Sequence, residues 1–169
     1  ARAMGADCIL LIAACLDDAQ MAEFEAIAAR HTDADSAASA IRQVRRRETL
    51  RLAVGAVLGE LELLQIHQGL SELTQCYLQA ILRLVVQQSS DFSEVDFGIV
   101  AMGRFGGSEL GFGSDADVMY VYRGSSDRPD YQKRAELIVA EIKRLSADQL
   151  LEFEIDLDLR PEGKNGPVV

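Results

Sequence analysis

The chain has 169 residues, of which 49% are hydrophobic and 26% charged, and its formal net charge is −10. This length allows one ordinary domain with a substantial core, and the balanced composition excludes a disordered, collagenous or disulfide-stapled chain. The negative charge argues against a broad nucleic-acid-binding surface, and no apolar run is long enough for a membrane helix. We therefore expect a soluble, cytoplasmic protein that binds neither nucleic acid nor membrane.

Cysteines and chain ends add two expectations. Cys8, Cys15 and Cys76 lack the paired spacing of a zinc site, so we expect reduced, mostly buried thiols. The sequence begins at Ala1 and stops after Val169 without a recognisable terminal signal, which indicates a piece of a larger protein.

The first half of the chain predicts helices. Residues 8 to 30 are rich in Ala, Leu and Glu, which favours one or two short helices. Apolar residues then recur at spacings of three and four, which predicts an antiparallel hairpin of one helix from about 38 to 67 and another after Gly69. The two apolar faces are Leu50, Val54, Val57, Leu58, Leu61 and Leu64 in the first helix and Leu70, Leu73, Tyr77, Ile81, Leu84 and Val85 in the second.

An arginine cluster lies early in this hairpin. Its members are Arg42, Arg45, Arg46, Arg47 and Arg51. We expect either a solvated face or partners for the acids of neighbouring helices; a docking patch for an acidic partner is the alternative.

The second half changes to strand periodicity. Residues 95 to 102 and 117 to 122 predict buried strands, and residues 152 to 159 alternate between apolar and acidic side chains, which predicts a third strand. A helix is predicted over 131 to 146, with Asp130 as its N-cap. Its apolar face consists of Ala135, Ile138, Ile142 and Leu145. The expected organisation is a helical segment, 1–90, followed by an α+β core, 91–169.

Two aspartates stand at the entrance of the second strand, in the sequence GSDADV. Alternate residues of a strand point the same way, so Asp115 and Asp117 are expected on one face, and Asp156 on the polar face of the third strand. Three close carboxylates repel one another unless a cation lies between them, and such oxygen ligands suit Mg²⁺ or Mn²⁺. A lone D-x-D pair is also common as a plain strand-end turn, and that alternative stays open.

The glycines before this pair predict a phosphate-binding turn. Gly106, Gly107 and Ser108 can bring backbone N–H groups and a hydroxyl to a phosphate chain, and SELG at 108 to 111 is expected to open a short helix. The sequence has no P-loop, and GFGSDA at 111 to 116 precedes a strand where a dinucleotide fingerprint needs a helix. The combination is typical of two-metal nucleotidyl or phosphoryl transfer.

These motifs resemble those of glutamine synthetase adenylyltransferase, the bifunctional adenylyltransferase/adenylyl-removing family of bacterial nitrogen control. GRFGGSEL, SDADV and EIDLDLRPEGKNGP are similar to its G-x-x-G-G-x-E-L, S-D-x-D and D-x-x-L-R-P-x-G signatures. The resemblance covers 97 to 169, and RRRETLRLAVGAVLG is similar to the helical region before the family's core. It implies a polymerase-β-like nucleotidyltransferase fold, a mixed sheet flanked by helices, and one of the family's two halves.

The resemblance also implies a set of site residues. The implied metal-binding and catalytic residues are Asp115, Asp117 and Asp156, and the implied nucleotide contacts are Gly106, Gly107, Ser108, Ser114 and Arg160. Asp156 is the candidate general base. Asp158 stands where many members of the family have arginine, which adds negative charge beside the metal site.

The implied reaction is the transfer of AMP from ATP to a tyrosine hydroxyl of glutamine synthetase, with Mg²⁺ or Mn²⁺. The wording GFGSDAD favours the C-terminal, adenylylating half. The alternatives are the adenylyl-removing half, which acts by phosphorolysis, and a non-catalytic module that senses a ligand or the PII signalling protein.

Overall fold

The structure, a computed structural model, describes residues 10–11, 23, 26–27, 30–31, 33–87, 92, 95–123 and 130–156. Within these ranges the chain forms helices and four strands. In chain order they are β1 (Leu10–Leu11), α1 (Ala34–Val57), α2 (Leu63–Gln87), β2 (Asp96–Ala101), α3 (Gly103–Gly106), β3 (Ala116–Arg123), α4 (Tyr131–Ser146) and β4 (Ile155–Asp156).

The strands form one mixed sheet in the order β1-β2-β3-β4. β1 and β3 both pair with β2 in antiparallel fashion, whereas β4 pairs with β3 in parallel after the chain has passed through α4. A small mixed sheet flanked by helices and preceded by a helical hairpin confirms the predicted α+β class, with a nucleotidyltransferase-like core.

The hairpin is shorter on its first arm than predicted. α1 begins after Asp33, whose carboxylate accepts a hydrogen bond from Ser36 N (2.8 Å), and it ends at Val57. The chain turns through Gly59 at φ +71°, in the left-handed region that favours glycine. The prediction that Gly69 separates the helices is wrong: a Cβ there would lie 2.9 Å from Leu52 Cδ2, so Gly69 allows the two helices to approach closely.

The apolar face predicted for α1 is wrong as a buried face. Its members are largely exposed, namely Leu50 (64%), Val54 (48%), Val57 (86%), Leu58 (65%) and Leu64 (63%). α1 instead buries Ala37, Ala38, Ile41, Val44, Arg45 and Gly55. The C-terminal part of α1 extends beyond the hydrophobic core. Its apolar periodicity therefore continues along a stretch that the described residues do not cover.

The other predicted faces are confirmed. All six residues of the α2 face are buried, as are Ala135, Ile138, Ile142 and Leu145 of α4. All of them except Leu73 join β2 and β3 residues in one hydrophobic cluster that draws on both sides of residue 90. Cys76 is buried, as expected, whereas Cys8 and Cys15 lie outside the described residues.

Three local predictions need correction. Leu10 and Leu11 form a strand where a helix was expected, while the described residues between 23 and 30 are helical. β4 has two residues, although 157 to 159 lie outside the described part. Asp130 occupies the N-cap position of α4 without a side-chain cap, since its carboxylate contacts Arg134 Nη2 at 2.9 Å. None of the described helices combines the length and apolar character of a membrane span.

Candidate active site

The parallel pairing of β3 and β4 brings two aspartates together. Asp117 and Asp156 are register partners, one residue beyond the pair Ala116 and Ile155. Register partners in neighbouring strands point to the same face of the sheet, so the two carboxylates share one side. Ala116 N also donates to Glu154 O (3.0 Å), which fixes β4 just before Asp156.

The electrostatics of Asp117 show that both other predicted carboxylates act on this residue. Its pKa is raised, chiefly by burial and next by the charge of Asp156. Arg104 acts in the opposite direction, and Asp115, exposed at the entrance of β3, adds a smaller increase. The site is therefore a region of unfavourable negative charge that a cation would relieve.

The donor set fits a hard divalent cation. Among the described residues, no three acidic, histidine or cysteine side chains lie close enough to enclose an ion by themselves. Mg²⁺ in phosphate-transfer sites is usually held by one or two carboxylates, with water and substrate phosphates completing its shell. The adjacent pair Asp117 and Asp156 matches that requirement, with Asp115 two residues along the chain.

Gly103, which follows the predicted strand 95–102, is a residue of the candidate site that the sequence motifs alone do not single out. It has φ +50°, and a Cβ built there would collide with Oδ2 of Asp117 and lie 3.2 Å from its Cγ. The neighbouring Met102 N donates to Asp117 O (2.9 Å). Glycine at 103 therefore leaves the space that the Asp117 carboxylate fills, and the sequence signal is a glycine directly after a buried strand.

The predicted phosphate turn is a tight, internally bonded structure. The N–H groups of Gly106, Gly107 and Ser108 donate to the carbonyls of Met102 (2.7 Å), Gly103 (3.1 Å) and Phe105 (3.1 Å). The short helix is α3, upstream of the SELG segment where it was predicted. Ser108 adopts φ 58°, an uncommon conformation for a residue with a side chain. The Ser108 hydroxyl and the exposed Arg104 guanidinium belong to this turn and are chemically able to meet an anion.

Of the two remaining predicted nucleotide contacts, Ser114 lies within the described residues and Arg160 does not. Ser114 closes the next turn, since Gly111 N donates to its Oγ (3.1 Å) and Ser114 N donates back to Gly111 O (3.2 Å). This turn delivers the chain to Asp115. Arg160 and Asp158 lie outside the described residues.

A cavity of about 280 Å³ opens beside Asp115. Its walls are Arg45, Thr49, Leu70, Leu73 and Thr74 of the hairpin, the turn 110–115 and the segment 151–154. Binding sites for whole small molecules usually measure about 300–1,000 Å³, so this recess suits a side chain or a nucleobase more than a complete nucleotide.

A mixed sheet with paired acidic side chains at adjacent strands and a glycine turn beside them defines the class as nucleotidyltransferase-like. Comparison with known proteins agrees: the family model for glutamate-ammonia ligase adenylyltransferase matches residues 11–169. The chain belongs to this family, as the resemblance of its motifs indicated.

The curated relatives are bifunctional glutamine synthetase adenylyltransferase/adenylyl-removing enzymes. The enzyme of Leifsonia xyli subsp. xyli is 48% identical over 148 residues, which cover 87% of this chain and 15% of the relative. The Streptomyces coelicolor enzyme is 42% identical over 176 residues, covering 90% of this chain and 17% of the relative. The enzyme of Cutibacterium acnes is 39% identical over 151 residues, with 87% and 15% covered. The chain thus spans about a sixth of the length of these relatives.

Proposed function

We propose that this chain carries a nucleotidyltransferase site that attaches AMP from ATP to a tyrosine hydroxyl of glutamine synthetase. The observation that carries the proposal is the register pairing of Asp117 with Asp156 beside Gly103, in a chain of the adenylyltransferase family. The stretch GFGSDAD supports the adenylylating half in preference to the adenylyl-removing half. Because the reaction consumes ATP, we place it in the cytoplasm.

Each acidic residue has a proposed role. Asp115, Asp117 and Asp156 would hold Mg²⁺ or Mn²⁺, which when bound neutralises charge on the triphosphate. Asp156 accepts the proton of the tyrosine hydroxyl, because a phenol with a pKa of about 10 is largely protonated at neutral pH. The phenolic oxygen then forms its bond to the α-phosphorus, the bond from that phosphorus to the β-phosphate oxygen breaks, and pyrophosphate leaves with the electron pair.

The nucleotide is held by the turn formed by Gly106, Gly107 and Ser108. We assign Ser108 through its hydroxyl, with Gly106 and Gly107 shaping the turn, and Ser114 as the residue that fixes the approach to Asp115. Arg160 is proposed as a further nucleotide contact on the basis of the family motif. The PII signalling protein is proposed as a partner that acts through the full-length enzyme.

The test is AMP transfer in the full-length chain. Glutamine synthetase is incubated with ATP labelled at the α-phosphate, with and without Mg²⁺, and the label on the protein is counted. We expect Asp117→Asn to reduce incorporation about 100-fold or more. Asp96→Asn is the matched control, because Asp96 is an exposed acid of the same sheet that contacts Arg123 Nη2 at 2.7 Å, on β2.

Other outcomes separate the alternatives. Phosphate-dependent release of ADP from adenylylated glutamine synthetase, without incorporation, would assign this chain to the adenylyl-removing half. Nucleotide binding with neither reaction would indicate a binding module. Incorporation that survives Asp117→Asn would overturn the assignment of the site.

A further inference from the structure

The segment that leads to Asp156 has no regular structure of its own. Between the end of α4 at Ser146 and the start of β4 at Ile155, residues 147–154 form neither helix nor strand. Leu150 in this segment is 80% exposed. Within the described residues, β4 pairs with β3 at two positions, Ile155 and Asp156, so Asp156 depends also on how the preceding segment is held.

The helical hairpin contacts the segment 147–154 through a side chain of α1. Arg45 of α1 is only 8% exposed, and it donates from Nη1 to Leu151 O (2.9 Å) and from Nη2 to Glu152 O (3.0 Å). Asp148 Oδ2 lies 3.8 Å from the same guanidinium. A planar guanidinium can bind two consecutive carbonyls at once, a task that the single ammonium group of lysine performs poorly.

Phe153, the next residue of the segment, is fixed by the same Arg45 guanidinium. Cζ of Arg45 lies 4.6 Å from the centre of the Phe153 ring and 5.3 Å from that of Tyr77, which is close enough for cation–π attraction. The two rings meet edge to face at 5.1 Å. Tyr77 also donates its hydroxyl to Ser146 O (2.6 Å), and Arg42 donates to Leu145 O (2.6 Å), so α1 and α2 hold the start of the segment as well.

The contacts continue without a gap to the carboxylates. Leu151, Glu152 and Phe153 are bound by Arg45, Glu154 O accepts from Ala116 N, and Ile155 and Asp156 pair with Ala116 and Asp117. Every residue from 151 to 156 is therefore held either by the hairpin or by β3.

We propose that Arg45 is a positioning residue that keeps Asp156 opposite Asp117. This rests on the proposed function, in which both carboxylates hold the divalent cation. Arg45 does not touch the reacting atoms; it acts through the backbone of residues 151–153. Arg45 is accordingly a clamp for the segment that leads to Asp156, whereas Arg47 and Arg51 of the same cluster are exposed and pair with acidic side chains, as the sequence predicted.

The test compares Arg45→Lys and Arg45→Met with Arg51→Met in the full-length chain. Arg51 lies on the same helix, but its side chain is 82% exposed and, among the described residues, pairs with Glu48. The first readout is the affinity for Mn²⁺ in the presence of α,β-methylene-ATP, which cannot transfer AMP, followed by electron paramagnetic resonance. The second is hydrogen exchange of the Ala116 amide, which reports the β3–β4 pairing directly.

We expect both Arg45 variants to weaken Mn²⁺ binding about tenfold or more, the range for residues that orient metal ligands, and to lower protection of the Ala116 amide. In the transfer assay, the metal concentration for half-maximal rate should rise, whereas KM for glutamine synthetase should not change. Arg51→Met should match the wild type within about twofold. If Arg45→Met does not fold, Arg45→Lys, which keeps the charge and the aliphatic stem, decides the question.

Two results distinguish a failure of the inference about Arg45 from a failure of the proposed function. A folded Arg45→Met protein with wild-type Mn²⁺ affinity and wild-type Ala116 protection excludes a positioning role. If the wild type itself binds no Mn²⁺, the proposed function fails, and the exchange of the Ala116 amide alone then decides whether Arg45 positions β4.

Discussion

A side chain at position 103 would occupy the volume that the Asp117 carboxylate fills. Gly103→Ala introduces a Cβ at φ +50° that meets Asp117 Oδ2, so the variant should both lose stability and displace the carboxylate. The matched control is Gly59→Ala, where φ is +71° and nothing lies within 4 Å of the added Cβ.

We expect each alanine to lower the free energy of unfolding by about 1–2 kcal/mol, the ordinary cost of a left-handed conformation. Only Gly103→Ala should also weaken Mn²⁺ binding. Urea denaturation measures the first effect and calorimetric titration the second. Equal Mn²⁺ affinity in the two variants would show that the volume at Gly103 does not matter to the site.

We expect Asp117, a ligand of the proposed cation site, to make the metal-free protein less stable. Burial and the charges of Asp156 and Asp115 raise its pKa, which means that the ionised carboxylate is disfavoured in the folded state. Without divalent metal at neutral pH, Asp117→Asn should therefore raise the melting temperature by a few degrees. Added Mn²⁺ should raise the melting temperature of the wild type and leave that of the variant unchanged; a metal-free variant less stable than the wild type would contradict this.

The two helix starts that carry aspartate behave differently, and substitution can show it. Asp33 caps α1, and the backbone N–H of Ser36, with a further contribution from its side chain, lowers the pKa of the Asp33 carboxyl below 3.8. Its stabilising effect is therefore complete above pH 3.8 and disappears as the pH falls through the lowered pKa.

We expect Asp33→Ala to lower the melting temperature at pH 7, and the difference from wild type to vanish in strong acid. Asp130→Ala should have almost no effect, because its exposed ion pair with Arg134 replaces a cap. Thermal melts of both variants between pH 2 and 7 provide the comparison. A larger effect for Asp130 than for Asp33 would mean that the capping assignment is wrong.

Sequence periodicity predicted those helices and strands whose apolar stripe faces a partner inside this chain. α2 and α4 have such stripes, and β2 and β3 are compact apolar runs. The bounds of α4 match the prediction and those of β2 and β3 differ by one residue, whereas α2 begins at Leu63, before its predicted start after Gly69. The hairpin turn was misplaced because Gly69, the stronger sequence signal, serves close packing against Leu52 and leaves the chain helical. Local pattern cannot distinguish a glycine that breaks a helix from one that admits a neighbour.

The residues of the candidate site were likewise predicted only in part. The pair Asp115 and Asp117 follows from strand alternation, and the partnership with Asp156 follows from an alternating strand. The role of Arg45 could not be predicted, because its carbonyl partners are 106 and 107 residues away along the chain. Charge clustering indicates solvent exposure by default, and only the fold shows which arginine of the cluster is buried.

The molecule as described has one core rather than two. Tyr77 of the hairpin reaches Ser146 at the end of α4, Ser71 Oγ accepts from Leu110 N (3.2 Å), and α2, β3 and α4 contribute to a single cluster. The boundary at residue 90 stays a prediction, and the shared cluster leads us to expect that the helical hairpin and the sheet unfold together.

Native-state hydrogen exchange tests this. The amides of Leu78 and Ile81 in α2 and of Val118 and Tyr120 in β3, all with fully buried side chains, should exchange with the same free energy of opening and the same denaturant dependence. A hairpin that opens at distinctly lower free energy than β3 would indicate two separate folding units.

The parallel pairing of β3 with β4 has a consequence for the order of folding. Parallel neighbours cannot be joined by a tight turn, and here Asp117 meets Asp156 only after the intervening chain, including α4, has docked. Contacts between residues so distant in sequence carry a large loop-closure entropy and form late on the folding pathway. The proposed cation site is then among the last features to appear, so Mn²⁺ should slow unfolding strongly while leaving the folding rate nearly unchanged.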